Sequence, residues 1–383
     1  MDRNFMDEVI EEARQFTEKE IRPFAGDFEQ NEQVPRELIN KMAKRKYLAA
    51  PFPEEYGGLG LDPLYYGYLT EEIGKGCAST RALMTVHTSL VGETLLKWGT
   101  KEQKERYLRP MASGEKIAAF ALSEPEVGTD AGSVKTSYIK EGNKYILNGK
   151  KKWITFGNLA DIFIIIASEG KNISAFIAER DFGGITTKPI KGMMAGRAAY
   201  IAEIEINNLE IPEENLLGKI GGGFTFICNT ALDYGRYSVA WAATAVAGAA
   251  VEEMVTYARH RTQFDQKIYK FQTIREIIAN ATTKYLTSKA LCINAGNLRI
   301  QGSDEKVFQT TLAKYYSSKI AMEVTTDAIQ VFGGNGCTSE YPVERLFREA
   351  KIFEIIEGTS QIQQEIISRY ALSNFYRKKA KAQ

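Results

Sequence analysis

Ile162-Phe163-Ile164-Ile165-Ile166-Ala167 and, a short break later, Ile173-Ser174-Ala175-Phe176-Ile177-Ala178 are brief apolar runs dense in β-branched residues. Runs of this length and composition read as strands. Near-alternation of the same kind occurs at 144–147 and 201–206. The stretch from about Phe120 to Lys219 is therefore a β domain, closed by Asn207-Asn208 and Pro212.

On either side of it the period changes. From Met1 to about Ala119, apolar residues recur three and four apart over 5–24, 37–47, 65–74, 79–98 and 101–111. Pro35, Pro51, Pro53, Gly57, Gly58 and Gly60 separate these helices. After Gly221-Gly222-Gly223, the stretches 224–262, 272–301, 304–332 and 360–380 read as helices long enough for a four-helix bundle. The predicted class is α+β: an N-terminal helical domain (1–119), a middle domain of antiparallel strands (120–221) and a C-terminal four-helix bundle (222–383). Helices, then strands, then helices is not the order of alternating βαβ units, so a parallel nucleotide-binding sheet is excluded.

Composition removes further classes. The 383 residues carry 49 Lys plus Arg against 48 Asp plus Glu, a net charge of +1, which gives nucleic acid or an acidic membrane no reason to bind. Cys77, Cys228, Cys292 and Cys337 are far apart and form no CxxC pair, as expected of reduced cysteines in a cytoplasmic protein with no bound metal. The first residues mix acids with apolar positions at helical spacing and lack the order of a signal peptide. The alanine-rich run 238–251 is shorter than a bilayer requires and ends in Glu252 and Glu253, so it reads as a close-packed internal helix. No glycine cluster fits G-x-G-x-x-G after a strand or G-x-x-x-x-G-K-[ST]. His87 and His260, the two histidines, are far apart and outside any H-E-x-x-H, so metal hydrolysis and histidine-triad catalysis lack their parts; both read as structural.

Five segments together resemble the acyl-CoA dehydrogenase family over nearly the whole chain. Phe120-Ala121-Leu122-Ser123-Glu124-Pro125-Glu126-Val127-Gly128-Thr129-Asp130 is similar to the family loop that opens the β domain and holds FAD, with Thr129 where serine is usual. Lys152-Trp153-Ile154-Thr155 follows. The resemblance lays Trp153 along the flavin ring and sets the Thr155 hydroxyl on the N5 region, where a donor stabilises the charge that develops when N5 receives hydride. Arg261-Thr262-Gln263-Phe264, with Gln272 eleven positions after the arginine, and Gln330-Val331-Phe332-Gly333-Gly334 are the next two. The resemblance brings Arg261, Phe264, Gln272, Gln330 and Val331 to an FAD held mainly by a neighbouring subunit, and gives Gly333 and Gly334 the close approach to its pyrophosphate.

The fifth segment, 340–363, contains Ile355-Ile356-Glu357-Gly358-Thr359-Ser360-Gln361. The family carries its catalytic carboxylate in the E-G-T triplet, so the resemblance makes Glu357 the base that removes the α-proton of an acyl thioester while the β-carbon passes hydride to the flavin. Thr359 and Gln361 then belong with the cofactor, and Gly358 and Thr129 with the substrate. Walls formed by Ile355 and Ile356 would raise the carboxyl pKa and strengthen the base; a charge at the N-terminus of the last helix is a compatible second role for Glu357. One branch of the family carries its base on the helix represented here by Leu232-Asp233-Tyr234-Gly235-Arg236-Tyr237, but that position is Gly235. The resemblance implies that Asp233, Tyr234 and Arg236 hold the thioester carrier and brace the site.

Two departures stand out: Arg197-Ala198-Ala199-Tyr200-Ile201 lacks two hydroxyls of the family's R-x-S-x-T, and Cys337 replaces a common tyrosine. Segments around Tyr234, Cys337 and Phe156 resemble a subgroup of polyketide and peptide assembly lines that acts on small acyl groups held by an acyl carrier protein, the alternative being a short-chain acyl-coenzyme A substrate. The resemblance further implies a homodimer or homotetramer and an external electron acceptor such as an electron-transferring flavoprotein. A flavin oxidase or monooxygenase and a non-catalytic flavoprotein are the rival classes; the E-G-T triplet and the presence of Glu357 argue against them.

Overall fold

The computed structural model describes residues 3–380; Met1, Asp2 and residues 381–383, the ends of the first and last sequence segments, lie outside the described residues. The helices used below are α1 (Arg3–Phe16), α2 (Arg36–Lys44), α3 (Pro63–Gly76), α4 (Lys101–Ala112), α5 (Asn229–His260), α6 (Gln272–Ile300), α7 (Lys306–Phe332), α8 (Val343–Phe353) and α9 (Ser360–Ala380). The strands are β1 (Ala118–Ala121), β2 (Ser137–Glu141), β3 (Lys144–Ile154), β4 (Ile162–Glu169), β5 (Asn172–Glu179), β6 (Ile185–Pro189), β7 (Ala202–Pro212) and β8 (Leu216–Leu217). The chain is α+β, with its sheet between two helical stretches.

Compactness divides the chain differently from sequence texture. One unit gathers 27–62 and 79–235, and the other gathers 4–26, 63–78 and the chain from Arg236 onward. The segment 1–119, read from the sequence as one helical domain, is thus shared between them.

In the first unit the strands follow the order β6-β7-β3-β2-β4-β5-β8. The pair β4–β5 is a hairpin in continuous register from Ile162↔Glu179 to Glu169↔Asn172. β4 is buried from Ile162 through Ala167, which is why its sequence is an unbroken apolar run rather than an alternating one. The prediction of antiparallel strands needs one amendment. β1 and β2 both lie parallel to β4, pairing Ala118↔Ile162 and Ser137↔Ser168. The loop between β1 and β2 therefore starts and ends on one strand. His87 is buried here: its Nδ1 accepts from the Ala118 N–H at 3.0 Å and its Nε2 donates to the Met111 carbonyl at 3.1 Å, and burial pushes its pKa down to about 4.

In the second unit α7 packs against α6, α8 and α9, and α3 packs against α6. Ala242, Ala243, Val246, Ala247, Ala249 and Ala250 of α5 are buried with Ile320 and Val324 of α7 and Leu346 and Phe353 of α8. Small side chains permit close approach: a Cβ on Gly67 of α3 would sit 2.3 Å from the Trp241 ring of α5. The helical stretch Gly223–His260 is long and apolar enough to cross a membrane, yet 72% of its most apolar window is buried within the protein, as a core helix requires.

Candidate active site

Glu357 sits in the link between α8 and α9, in the second unit. Its φ is +54°, and that of the following Gly358 is +88°. Left-handed backbone suits glycine but costs about 1–2 kcal/mol at a residue with a Cβ, so the glutamate must be held there. Three side chains from three helices do so. Arg236 Nε of α5 donates to the Glu357 carbonyl at 3.2 Å, and Lys314 Nζ of α7 donates to the Gly358 carbonyl at 2.6 Å. Gln363 Nε2 of α9 donates to both carbonyls, at 3.2 and 3.1 Å.

This clamp leaves the carboxylate free of duties. Glu357 Oε2 is enclosed and has no hydrogen-bond partner among the described residues. Burial pushes the carboxyl up to about 7, against the pull of the Arg236 and Lys314 charges. The isoleucines named as walls do not supply the enclosure alone, for Ile355 is 54% and Ile356 37% exposed. Thr359 marks the start of α9, its Oγ1 lying 3.4 Å from the Ile362 N–H, while Gln361 is exposed. Lys314 and Gln363, both buried, were not singled out in the sequence. The available signal was a lysine among Thr310, Thr311, Ser317 and Ser318 at helical spacing, a polar stripe that turns inward.

In the first unit, Phe120 and Leu122 are buried at the end of β1, and Ser123 opens the loop that follows. A buried ion pair fastens that loop to β3. Lys151 Nζ donates to Glu124 Oε1 at 2.8 Å and to the Leu122 carbonyl at 3.0 Å, while Glu124 accepts the N–H groups of Lys135 and Thr136. The Lys152 N–H donates to the Ser123 carbonyl at 2.9 Å, which ties Ser123 to the end of β3 that carries Trp153. A β-bulge between Lys151 and Ile154 gives Trp153 a φ of +64° and leaves its ring 50% exposed, while Ile154 is buried. Gly128 and Thr129 lie exposed on the loop. Beyond Thr155, the carbonyls of Ala199 and Tyr200 accept the N–H groups of Phe156 and Asn158 at 2.8 and 3.1 Å, so backbone fixes the segment where two family hydroxyls are missing. Asp233 and Tyr234 are half-buried on α5.

A separate groove of about 630 Å³ in the second unit is lined by Arg261, Phe264, Gln330, Val331, Gly333 and Gly334. Phe264 and Asp265, with φ of +50° and +56°, form the two-residue turn of a small hairpin. The Phe264 ring is 89% exposed at its tip. Gln272 does not line the groove; it is the exposed first residue of α6, beside Thr273, which does. Among the described residues, nothing beyond the adjoining backbone lies within 4 Å of a Cβ placed on Gly333 or Gly334. The reason for glycine within the chain is backbone, a φ of +61° at Gly333, and the space beside both is open.

These surfaces suit FAD. The hydroxyls of Ser123, Thr129 and Thr155 have no hydrogen-bond partner among the described residues, and the Trp153 indole of the same unit is half exposed. The guanidinium of Arg261 is likewise unpaired among them, in a groove with glycine-lined open space. Hydroxyls, an aromatic plane and an arginine fork match the isoalloxazine and phosphate chemistry of that cofactor.

Comparison with known proteins gives concordant matches. Family profiles described as the N-terminal, middle and C-terminal domains of acyl-CoA dehydrogenase match residues 6–115, 119–209 and 221–372. The short-chain specific acyl-CoA dehydrogenase of Clostridium acetobutylicum is 39% identical over 365 residues, covering 94% of this chain and 96% of that one. The caffeyl-CoA reductase-Etf complex subunit CarC of Acetobacterium woodii is 37% identical over 362 residues, covering 93% and 95%. The solved butyryl-CoA dehydrogenase from Megasphaera elsdenii superposes with a TM-score of 0.93 at 34% identity, covering 97% of this chain and 100% of that one. All three names refer to coenzyme A thioesters; they lend no support to the carrier-protein subgroup suggested by the segments around Tyr234 and Cys337.

Proposed function

Because the chain belongs to the acyl-CoA dehydrogenase family, an FAD-dependent oxidoreductase family, we propose that it oxidises a short acyl group carried on coenzyme A, with Glu357 as the base. The observation that carries this reading is the enclosed, unpartnered Oε2 of Glu357 in a backbone held by Arg236, Lys314 and Gln363. A carboxylate relieved of structural bonding and destabilised by burial is a strong base toward a weakly acidic α-carbon. Bound FAD supplies the acceptor for the hydride that leaves the β-carbon. Ser123, Thr155 and Trp153 hold the flavin, Glu357 keeps the α-proton, and the product is the α,β-unsaturated thioester. The groove at Arg261 and the bare ring of Phe264 fit a cofactor brought by a second copy of the chain, and electrons leave to an electron-transferring flavoprotein.

The test is anaerobic mixing of the FAD-loaded enzyme with acyl groups of increasing length on coenzyme A, and the same groups on a carrier protein, while flavin absorbance is followed. Fastest bleaching is expected with short acyl-coenzyme A. Bleaching by the carrier-bound group alone would return the substrate to the carrier-protein subgroup.

The same measurement carries a pH signature. With its carboxyl raised to about 7, Glu357 is protonated and inactive below that value and ionised above it. The rate of flavin reduction therefore rises with pH through a midpoint near 7. A profile that stays flat across that midpoint would mean that another group takes the proton.

A further inference from the structure

Lys314 is wholly buried on α7, and its ammonium donates to a carbonyl, that of Gly358, rather than to a carboxylate. A buried cation whose hydrogen bond goes to a neutral acceptor is costly, and an apolar side chain of similar length fills such a place without the cost. The charge has to answer to something nearby. Of the two carboxylates whose field it feels, Glu357 acts more strongly than Glu354, and Lys314 bonds the residue that immediately follows Glu357.

We infer that Lys314 is a positioning residue for the base, fixing the left-handed Glu357-Gly358 turn through the Gly358 carbonyl and supplying the positive charge that keeps Glu357 ionisable inside the protein. The inference rests on Glu357 being the base. The charged groups around that carboxylate come from each neighbouring element: Arg236 from α5 and Lys314 from α7, while α9 presents the neutral Gln363 and the link itself contributes Glu354, which acts on Lys314. Burial lowers the Lys314 pKa to about 8, Glu357 and Glu354 oppose that fall, and Arg236 adds to it. The lysine pulls the Glu357 carboxyl down, as Arg236 does. Removing it leaves Arg236 alone against burial, and the carboxyl rises further.

Three substitutions separate bond from charge. Lys314→Arg keeps both, Lys314→Gln keeps a donor without charge, and Lys314→Met keeps neither. The primary readout is an infrared pH titration of the Glu357 carboxyl band in the FAD-loaded protein, the band being assigned by its loss in Glu357→Gln. The second is the pH dependence of flavin bleaching. Gln and Met are expected to move the midpoint up by about 1–3 units, the usual effect of an adjacent opposite charge, while Arg stays near the wild type. A midpoint unmoved in Gln and Met, with the rate lowered equally at every pH, would reduce Lys314 to a packing residue and overturn the inference. Loss of folding or of FAD in all three variants would do the same. A wild-type bleaching rate in Glu357→Gln strikes instead at the base assignment, so the two failures are distinguishable.

Discussion

Glu357→Gln lowers the rate of flavin reduction by on the order of 10²–10⁴-fold, the range associated with loss of a general base, and leaves FAD bound. The amide keeps the shape of the side chain, and the Glu357 main-chain carbonyl keeps its bonds from Arg236 and Gln363. What disappears is proton affinity. A second measurement on the same variant checks the cause. The native carboxyl is raised above its usual value, so the folded state binds a proton more tightly than the unfolded chain does. Wild-type stability therefore falls as pH rises from the ordinary glutamate range to about 7, where the buried group has to ionise. Glutamine carries no such penalty, and the variant should gain in melting temperature relative to the wild type as the pH rises from the ordinary glutamate range to about 7, with no further gain above it. Flavin reduction at the wild-type rate would send the search for the base back to Asp233 and its neighbours.

The second large effect belongs to the ion pair beneath the loop that joins β1 to β2. Glu124→Ala leaves Lys151, whose side chain is fully buried, with the Leu122 carbonyl as its remaining partner. Breaking a buried pair from one side costs about 3–5 kcal/mol, which for a unit of this size lowers the melting temperature by on the order of 10 °C. The same change frees the N–H groups of Lys135 and Thr136 and loosens the loop from β3, so flavin fluorescence should be released at lower temperature in step with unfolding. The double variant Glu124→Gln with Lys151→Met separates charge from packing: it leaves no buried charge behind, and recovers most of the loss. A single variant within 1 kcal/mol of the wild type would show that the pair is dispensable and that the Lys152–Ser123 backbone bond holds the loop alone.

Legibility in the sequence tracked burial. β4 and β5 could be read because long stretches of both are buried and their apolar runs admit little else. β1 and β2 could not. β1 is four residues of mostly alanine and exists because β4 offers it an edge, and β2 buries one side chain, Tyr138, and is held by its antiparallel pairing with β3 along its whole length. α8 was hidden within the motif that carries Glu357, although its buried Val343, Leu346, Ala350 and Phe353 recur at helical spacing. At the site, Glu357 was legible from its neighbours in the chain. The side chains that hold it come from α5, α7 and α9 and are joined to it by folding alone. Arg236 was reached through a resemblance, whereas Lys314 and Gln363 look on paper like any solvated polar residues of a helix. Gly333 and Gly334 were read as a place where a cofactor comes close to backbone; within the chain the positive φ of +61° at Gly333 is what asks for glycine.

The patchwork make-up of the second unit has a consequence for synthesis. Its residues 4–26 and 63–78 leave the ribosome early, whereas the rest of it begins at Arg236, after the whole of the first unit. Helix α3 buries Leu69 and Ile73 and carries Gly67, whose place is against Trp241. At about 5–20 residues per second, the first unit can close around its sheet while α1 and α3 wait on the order of ten seconds for the helices that will cover them. During that interval their apolar faces are open to any other nascent chain. A cell making this protein in quantity has to shield them, and slowing translation lengthens the exposure instead of helping the fold.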